Sequence, residues 1–382
     1  MIALERFGQS SPGRLVPLTG FPDLSAAFLP DFLPPSWRWP VELWPALLGA
    51  RTALARLDGV GKHLPNPTLL MRPLQRREAL RSSSLEGTYT EPEEQVLFDL
   101  EPSVPARETD RENPLREVFN YARALQLRGG GADRVPLSRL LIRELHQTLL
   151  EGVRGSDQNP GQFRTRQNQI GKPARFVPPP PHLLRDLMEN FEQFLQQSRY
   201  LDPLVDAFIA HYQFETIHPF MDGNGRVGRL LLALCIEEWC QLSGQWLYMS
   251  PYFDRNKDTY MDLLLRVSTD GAWTEWIGFC LRGVTEQADD AMRRCDRLMA
   301  LHKEFAGRLA EDGSMKMLAL VDSLFINPGM RVIDARDILG VSYPTAKTYL
   351  KQLARLEILT ERKGVTPASY LCRPILDVTY ED

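Results

Sequence analysis

The sequence predicts a mainly α-helical protein, and three observations support this prediction. Apolar residues recur with helical spacing over most of residues 113–284. The spacing fails between residues 155 and 181, where glycines and four consecutive prolines bound an extended hairpin or flap. Residues 312–382 place three short helical segments before another extended stretch. We expect a helical core with a small β-hairpin flap, an N-terminal arm with helices, and a C-terminal winged helix-turn-helix.

Length and composition set the domain count and exclude some classes of protein. With 382 residues, 43% hydrophobic and 25% charged, the chain predicts two or three globular domains. We expect them at residues 1–110, 111–300 and 312–382. A net charge of −4 argues against a nucleic-acid or anionic-membrane binder by overall charge alone. Five scattered cysteines without a CxxC pair, and no long apolar run, predict a soluble cytoplasmic protein.

The N-terminal region and the core each show a distinct pattern. Prolines within residues 28–37 exclude a regular helix and predict an extended arm. Helical patterns follow at about residues 41–57 and 70–85, and the second stops at Gly87, a residue favoured just beyond a helix end. In the core, the segment just before His218 has an apolar residue at every fourth position, which predicts a helix with one apolar face. The residues of this face are Leu204, Phe208 and Tyr212.

The C-terminal segment has the element order of a winged helix-turn-helix. Helices are predicted at about residues 315–325, 333–339 and 342–356, with Gly340 ending the second and Ser342 capping the third. A two-stranded wing at about residues 358–373 would carry Lys363 and Gly364 near its tip. The order predicts the fold of this segment without fixing its role.

A basic stripe runs along the third of these helices. Lys347, Lys351 and Arg355 recur every fourth residue, and Arg362 and Lys363 stand on the wing. Such a stripe can neutralise nucleic-acid phosphates. Residues 314–382 nevertheless hold nine Lys and Arg against eight Asp and Glu, a net charge of only +1. DNA binding and a protein contact, including dimerisation, both stay open.

The run from His218 to Arg229, HPFMDGNGRVGR, is the strongest functional signal. Gly223, Asn224 and Gly225 tolerate positive φ, so the loop can turn several backbone N–H groups inward just before a helix that starts at about Arg226. A helix N-terminus carries partial positive charge and binds anions. The pattern therefore predicts a phosphate-binding loop.

The charged residues of this run fit the same interpretation. Arg226 and Arg229 lie on one face of the first helical turn, where two cations make sense if a polyanion fills the space between them. Asp222 offers a carboxylate oxygen for Mg²⁺ beside the phosphates. His218 precedes the loop, and a neutral imidazole there can accept a proton from an attacking hydroxyl.

These residues resemble the signature of the Fic family, and every fixed position of that signature matches. The resemblance covers most of residues 15–290 and implies transfer of AMP from ATP to a serine, threonine or tyrosine hydroxyl of a protein. It implies that His218 is the general base, that Phe220 is a buried anchor and that Asp222 holds Mg²⁺. The nucleotide site would be the loop that starts at Asp222 and runs through Val227 and Gly228. Gly223, Asn224 and Gly225 would bind the α- and β-phosphates. Arg226 would lie near the β-phosphate, and Arg229 would bind the γ-phosphate.

The resemblance extends to the flap and to a helix near the adenine. Asn168, Gln169, Ile170 and Gly171 match the nucleotide-contacting stretch of the family's flap, which aligns a target segment by strand addition. Tyr260 is similarly placed, although a core aromatic is an equally good interpretation. Where many Fic proteins have an adenine-contacting asparagine, this chain reads Ser268-Thr269-Asp270. Doc-like kinases of the family have lysine at the position of Gly225, so its absence favours AMP transfer.

Residues 82–87, Ser-Ser-Ser-Leu-Glu-Gly, end a predicted helix and fit the family's inhibitory pattern, which begins at Ser82 and closes on Glu86 and Gly87. The resemblance implies that Glu86 pairs with Arg229 and excludes the γ-phosphate. Two other functions remain open. The Fic-like part could sense nucleotide for a transcriptional regulator, or the site could remove AMP with Glu86 positioning water. Expected partners are a target protein, which could be the chain itself, and a second copy in a homodimer.

Overall fold

Helices make up most of the chain, as the apolar spacing predicts. The structure is a computed structural model that describes residues 7–18, 24–63, 66–105, 110–128, 134–153, 159–171, 173–197, 200–362 and 368–381. The predicted wing-tip residues Lys363 and Gly364 lie outside the described residues. Apolar side chains form one continuous core from the first helix to the last. The five cysteines form no disulfide, and four of them are buried.

The N-terminal region pairs a hairpin with three helices. Its elements are β1 (Gly13–Pro17), β2 (Ala26–Pro30), α1 (Trp44–Lys62), α2 (Thr68–Leu85) and α3 (Pro92–Phe98). β1 and β2 are antiparallel, with Gly13 opposite Pro30. Gly13 is required there because a Cβ would lie 2.6 Å from the Phe28 ring. The non-helical arm was predicted, whereas its pairing into a hairpin was not.

Eight helices of the described chain build the central region. They are α4 (Asn113–Ala124), α5 (Arg139–Leu149), α6 (Leu184–Gln196), α7 (Pro203–Ile217), α8 (Asn224–Trp239), α9 (Ser250–Arg255), α10 (Lys257–Asp270) and α11 (Trp273–Glu311). Ser138 caps α5 and Asp202 caps α7 through side-chain oxygens that accept backbone N–H groups. α7 and α8 pack side by side, and the loop between them carries the predicted site.

The predicted hairpin of the flap is limited to one antiparallel bridge. Between residues 159 and 181 the described chain has one isolated bridge, from Ile170 to Phe176, and no strand. The reason is that the flap's polar groups bind elsewhere: Arg164 donates to the carbonyls of Pro179 (2.6 Å) and His218 (2.9 Å). The prolines at 178–181 also lack the N–H groups that a ladder needs.

The C-terminal segment contains the predicted helices and two elements that the sequence analysis missed. Its elements are α12 (Leu318–Ile326), β3 (Gly329–Arg331), α13 (Val332–Leu339), α14 (Tyr343–Arg355), β4 (Thr360–Glu361), β5 (Ser369–Leu371) and α15 (Arg373–Tyr380). Gly340 ends α13 and Ser342 caps α14, as predicted. β3 joins β4 and β5 in an antiparallel sheet of order β3-β5-β4. α12 and α15 pack on α2, the helix whose end carries Glu86.

Candidate active site

Two left-handed residues shape the loop between α7 and α8. His218, with φ 50°, ends α7, and Gly223, with φ 75°, precedes α8. α8 starts at Asn224, so the prediction that Asn224 and Gly225 lie in the loop was wrong. The first intrahelical bond runs from Val227 N to Gly223 O at 3.0 Å. The preceding backbone N–H groups of the first turn therefore remain for an anion.

Asn224 holds the loop closed with its side chain. Its Oδ1 accepts from the backbone N–H of Phe220 at 2.8 Å, and its Nδ2 donates to the carbonyl of Phe220 at 2.9 Å. Phe220 is fully buried, as predicted for an anchor. The Asn224 side chain thus stabilises the loop internally.

A histidine that the sequence analysis did not single out lies beneath the loop. The His146 ring on α5 stacks on Phe220, with ring centroids 3.8 Å apart and an angle of 4°. Its two nitrogens contact the flap residue Gly161 and the loop residue Asp222. Burial lowers the pKa of His146 to about 4, so the ring is neutral at physiological pH. The only signal in the sequence is a lone histidine on an amphipathic helix, which carries little weight.

His218 is held in the form that a base requires. Its Nδ1 lies 3.2 Å from the carbonyl oxygen of Glu215, and since a carbonyl only accepts, Nδ1 must donate. Nε2 is then unprotonated, and it has no hydrogen bond within the described residues. Burial lowers the pKa of His218 to about 4. The imidazole is therefore neutral across physiological pH and presents an acceptor nitrogen.

Arg229 is bonded to the end of α2. It donates to Ser82 Oγ at 2.8 Å, to the Ser82 carbonyl at 2.9 Å and to Glu86 Oε1 at 2.8 Å. The Arg229 side chain is 3% exposed and that of Glu86 is 37% exposed. Burial acts to raise the pKa of Glu86, but the Arg229 guanidinium outweighs burial and the pKa lies below its usual value. The pairing expected from the family resemblance is present in the structure.

Gly225 makes room for this ion pair. A Cβ at position 225 would lie 2.2 Å from Glu86 Oε1 and 2.8 Å from a guanidinium nitrogen of Arg229. The Glu86 carboxylate thus lies directly against the first turn of α8, where the backbone N–H groups and the helix dipole favour an anion. The Glu86 carboxylate therefore lies where we expect an anion to approach the loop.

Arg226 differs from the expectation. Its NH1 donates to Glu117 Oε2 at 2.8 Å, and the two side chains are 1% and 2% exposed. The Thr88 hydroxyl donates to the same carboxylate oxygen at 2.8 Å. A polyanion was expected between Arg226 and Arg229, whereas each arginine pairs with a separate carboxylate of the chain. Arg226 does not line the cavity described next, and its expected place beside the β-phosphate stays a prediction.

A cavity of about 150 Å³ opens beside the loop. Its lining residues are Glu86, Ile170, Arg175, Phe176, Glu215, Thr216, His218, Gly225, Arg229, Tyr260, Met261, Leu264, Leu265 and Ser268. The structure thus brings together six of the predicted site residues: Glu86, Ile170, His218, Gly225, Arg229 and Tyr260. The other predicted nucleotide-site residues lie outside the lining: Asn168, Gln169, Gly171, Asp222, Gly223, Asn224, Arg226, Val227 and Gly228. The apolar side chains of α10 and the flap suit a flat ring, and the Arg229 side suits phosphate.

Glu215 is a lining residue that the sequence analysis missed. Its Oε1 is buried without a hydrogen bond, and it lies so close to Gly228 that a Cβ there would be 2.2 Å away. Burial raises the pKa of Glu215 to about 8, against the opposing effect of Arg229. The carboxyl is therefore mainly protonated at neutral pH. The sequence offered no signal beyond its position three residues before His218.

The expected metal ligand, Asp222, is exposed. Its Oδ1 accepts from the backbone N–H of Gly223 at 2.7 Å, which leaves the other carboxylate oxygen for a ligand. No cluster of three or more His, Cys, Asp or Glu in the described residues could hold a metal. A single outward carboxylate fits Mg²⁺ that is shared with nucleotide phosphates and keeps several waters.

The predicted flap residues have separate roles. Asn168 Nδ2 donates to the Phe220 carbonyl at 2.9 Å, so it ties the flap to the loop. Gln169 is exposed and bonds only weakly, at 3.4 Å, to the carbonyl of Gly171. Gly171 has φ 83° and turns the chain back towards the bridge of Ile170 with Phe176. Of these residues only Ile170 lines the cavity.

Tyr260 belongs both to the core and to the cavity wall. It is 2% exposed, stacks on Phe253 at 4.4 Å and bonds through its hydroxyl to His211 Nε2 at 2.9 Å. The core interpretation is therefore confirmed, and contact of Tyr260 with a nucleotide stays a prediction. Ser268 also lines the cavity, with its hydroxyl 2.9 Å from that of Tyr212, whereas Thr269 does not line it.

The C-terminal stripe is exposed as the sequence predicts. Lys347, Lys351 and Arg355 all lie on the solvent face of α14, next to exposed Tyr343 at its start. No helix in the described parts of the chain is both long and apolar enough to cross a membrane.

Two protein-family models match the parts of the chain that contain the loop and the helices around it. Residues 136–236 match the Fic/DOC family, and residues 44–128 match the Fic/DOC family N-terminal domain. Two parts of the chain are thus similar to Fic/DOC proteins. The Fic match covers α5 to α8, and so includes the flap, His218 and Arg229. The N-terminal match covers α2 with Glu86.

Several relatives are similar to the Fic part of the chain. A probable protein adenylyltransferase of Aquifex aeolicus is 36% identical over 99 residues, which are 26% of this chain and 28% of the relative. The protein adenylyltransferase Fic of Drosophila melanogaster is 32% identical over 155 residues, 40% of this chain and 30% of the relative. The matched part thus spans less than a third of either relative.

Solved structures share the fold. A Fic family protein from Desulfovibrio desulfuricans matches 88% of this chain and 98% of its own, with a TM-score of 0.54 and 20% identity. Fic-1 from C. elegans matches 69% of this chain and 74% of its own, with a TM-score of 0.51 and 20% identity. The chain therefore has a Fic fold.

Proposed function

We propose that this protein transfers AMP from ATP to a hydroxyl group of a target protein, and that Glu86 restrains the reaction. The observation that carries the proposal is a neutral His218, with Nε2 in its acceptor form, in the same cavity as Arg229 and the first turn of α8. The names of the relatives, protein adenylyltransferases, support the same reaction.

Each part of the site has a role in this reaction. His218 Nε2 takes the proton of the acceptor hydroxyl as its oxygen attacks the α-phosphorus. The bond from the α-phosphorus to the bridging oxygen breaks, and pyrophosphate leaves. The N–H groups at the start of α8 stabilise the charge that develops on the phosphates. The apolar side chains of α10 and Ile170 enclose the adenine, and Ser268 lies at the same wall.

Asp222 would hold Mg²⁺ in the loaded enzyme, and the ion would neutralise phosphate charge there. Arg229 binds the γ-phosphate once Glu86 has left it. Arg226 stays with Glu117 and supports the loop from behind. Gly225 stands where Doc-like kinases have lysine, and its lack of a side chain leaves room for the Glu86 carboxylate.

Glu86 acts as a brake because it occupies the position of an anion. With its carboxylate on Arg229, ATP must bind without its γ-phosphate on that arginine, or must displace the glutamate. The target protein, which can be this chain itself, then receives AMP only when the end of α2 moves and Glu86 leaves Arg229. Removal of AMP by the same site, with Glu86 positioning water, is an outcome that product analysis distinguishes.

The test uses ATP labelled at either the α- or the γ-phosphate, with Mg²⁺, the unsubstituted protein and its Glu86→Gly variant. Retention of the α label alone on protein is the expected result. Retention of the γ label identifies a kinase and refutes the proposal. Glu86→Gly with His218→Ala is the matched control, and it must retain neither label above background.

A second role for the C-terminal segment rests on the exposed stripe of α14. Helix order, a capped N-terminus and exposed Tyr343, Lys347, Lys351 and Arg355 suit a helix in a DNA major groove. A gel-shift assay with DNA from the protein's own locus tests it. Binding that is lost when the three basic residues are changed to alanine supports the role, and unchanged mobility favours a protein contact.

A further inference from the structure

His146 makes two hydrogen bonds that fix its tautomer. Nδ1 accepts from the backbone N–H of Gly161 at 2.8 Å. Nε2 lies 3.1 Å from the carbonyl oxygen of Asp222, and a carbonyl can only accept, so Nε2 carries the proton. The ring is fully buried and both of its polar atoms have partners. One neutral side chain thus joins the start of the flap to the end of the catalytic loop.

The hydrogen bond from His146 to the Asp222 carbonyl also affects the direction of the Asp222 carboxylate. The C=O of Asp222 and the N–H of Gly223 belong to the same rigid peptide plane. That N–H donates to Asp222 Oδ1 at 2.7 Å. Holding the carbonyl therefore sets the direction of the N–H, and the N–H sets the direction of the carboxylate. Gly223 has φ 75° and lies over the ring, where a Cβ would be 3.5 Å from His146 Cδ2.

The other bonds around the ring keep it still. Phe220 stacks on it at 3.8 Å and is itself held by Asn224 and Asn168 through its backbone. Gly161, whose N–H donates to His146 Nδ1, is itself fixed because its carbonyl accepts a hydrogen bond from Arg143 Nε at 2.6 Å. A ring without freedom to rotate can fix the peptide that it holds.

We propose that His146 is a positioning residue of AMP transfer, which orients the Asp222 carboxylate through the Asp222–Gly223 peptide. This inference rests on the proposed function, in which Asp222 faces Mg²⁺ and the phosphates. A histidine that only filled the core would need its ring and neither particular hydrogen bond.

Two substitutions separate the two bonds. Glutamine at position 146 carries its amide near the place of ring Nε2, so it can still donate to the Asp222 carbonyl. Asparagine carries its amide near the place of Nδ1, so it can still accept from Gly161 but does not reach Asp222. Both lose the stacked ring, and both should lower the melting temperature by similar amounts.

The variants are compared in the Glu86→Gly protein, where transfer is fast enough to measure. His146→Asn should raise the Mg²⁺ concentration for half-maximal transfer about tenfold, the effect of about 1.4 kcal/mol from one lost hydrogen bond. His146→Gln should stay within about threefold of its parent. Equal losses in both variants, no loss in either, or a loss confined to glutamine would overturn the proposal.

Two readouts do not depend on transfer. In calorimetric titrations with Mg²⁺ and ATP, His146→Asn should again need more Mg²⁺ than His146→Gln. Because this titration does not require transfer, an inactive Glu86→Gly protein would refute only the proposed function and would leave the inference about His146 testable. Nitrogen NMR of the unsubstituted, histidine-labelled protein should show a His146 ring with a protonated Nε2 and a bare Nδ1 between pH 6 and 8. The opposite tautomer, or a charged ring, contradicts the proposal even if neither variant folds.

Discussion

Replacing Glu86 by glycine perturbs the smallest part of the site with the largest expected effect. The carboxylate of Glu86 lies 2.8 Å from a nitrogen of Arg229 and against the first turn of α8. The substitution removes both the charge and the occupied volume. It also relieves a negative charge at the C-terminal end of α2, so α2 should remain folded.

The magnitude follows from the burial of the pair. Losing one partner of a buried ion pair costs about 3–5 kcal/mol, whereas exposed pairs contribute about 0–1 kcal/mol. Arg229 is 3% exposed but Glu86 is 37% exposed, so solvent screening places the pair between these limits, at about 2 kcal/mol. ATP no longer has to supply that free energy in the variant. Transfer at low ATP should therefore rise about 30-fold.

The assay follows incorporation of label from α-labelled ATP at saturating Mg²⁺ and at several ATP concentrations. Glu86→Gln keeps the volume and removes the charge, so it separates the ion pair from steric exclusion. Glu311→Gly is the matched control, because Glu311 is also an exposed glutamate at the end of a helix and does not line the cavity.

The expected order of rates is glycine first, then glutamine, then the parent together with Glu311→Gly. Equal rates in the parent and Glu86→Gly would refute the reasoning, since the pair would then be no obstacle to ATP. A rise in Glu311→Gly as large as in Glu86→Gly would show that the effect comes from general loosening of helix ends.

Four further measurements follow from the site. His218→Ala in the Glu86→Gly protein should lower the rate at least about a hundredfold with little change in ATP affinity, checked by label transfer and calorimetry. Because the pKa of His218 is about 4, the rate of the Glu86→Gly protein should not fall as pH drops from 8 to about 5; a midpoint near 6.5 contradicts this. The pKa of Glu215 is raised to about 8 in the folded protein, whereas this carboxyl ionises above about pH 4.3 in the unfolded chain. The folded state therefore loses stability relative to the unfolded state as pH rises from about 4.3 to 8. Glu215→Gln removes this loss, so in melting experiments the variant should become more stable than the parent as pH rises. Asp222→Ala should raise the Mg²⁺ requirement more than the ATP requirement, and equal rises would remove Asp222 from the metal site.

The sequence predicted much of the architecture because the helices have clear apolar faces and marked ends. Gly340 and Ser342 end and cap their helices for local reasons that a sequence displays. The missed elements were short or non-local. β3 is three residues long and pairs with a strand about forty positions later, which no local pattern indicates.

The flap was predicted as a hairpin because its residues look extended, and extended residues often pair with each other. In the structure this pairing is limited to the bridge of Ile170 with Phe176, and Arg164 and Asn168 donate hydrogen bonds to the backbone of the loop between α7 and α8. The sequence shows which groups can donate hydrogen bonds but does not show where a distant backbone supplies acceptors. The same limit hid His146, whose two partners lie 15 and 76 residues away.

The arginines illustrate a second limit. Their spacing predicted one shared polyanion, because two cations on one helical turn need a counter-charge. The chain supplies two counter-charges of its own, Glu117 from α4 and Glu86 from α2. Glu86 was found through its motif at the end of a predicted helix. Glu117 sits in mid-helix among other charged residues, where nothing in the sequence distinguishes it from a solvated one.

Competition between Glu86 and the γ-phosphate for Arg229 is the central claim, and the ratio of ATP to ADP affinity tests it most directly. Calorimetry on the parent should give nearly equal affinities, because the γ-phosphate cannot reach Arg229. In Glu86→Gly the γ-phosphate gains the arginine, so ATP should bind at least about tenfold tighter than ADP. The same ATP to ADP ratio in both proteins would contradict the account.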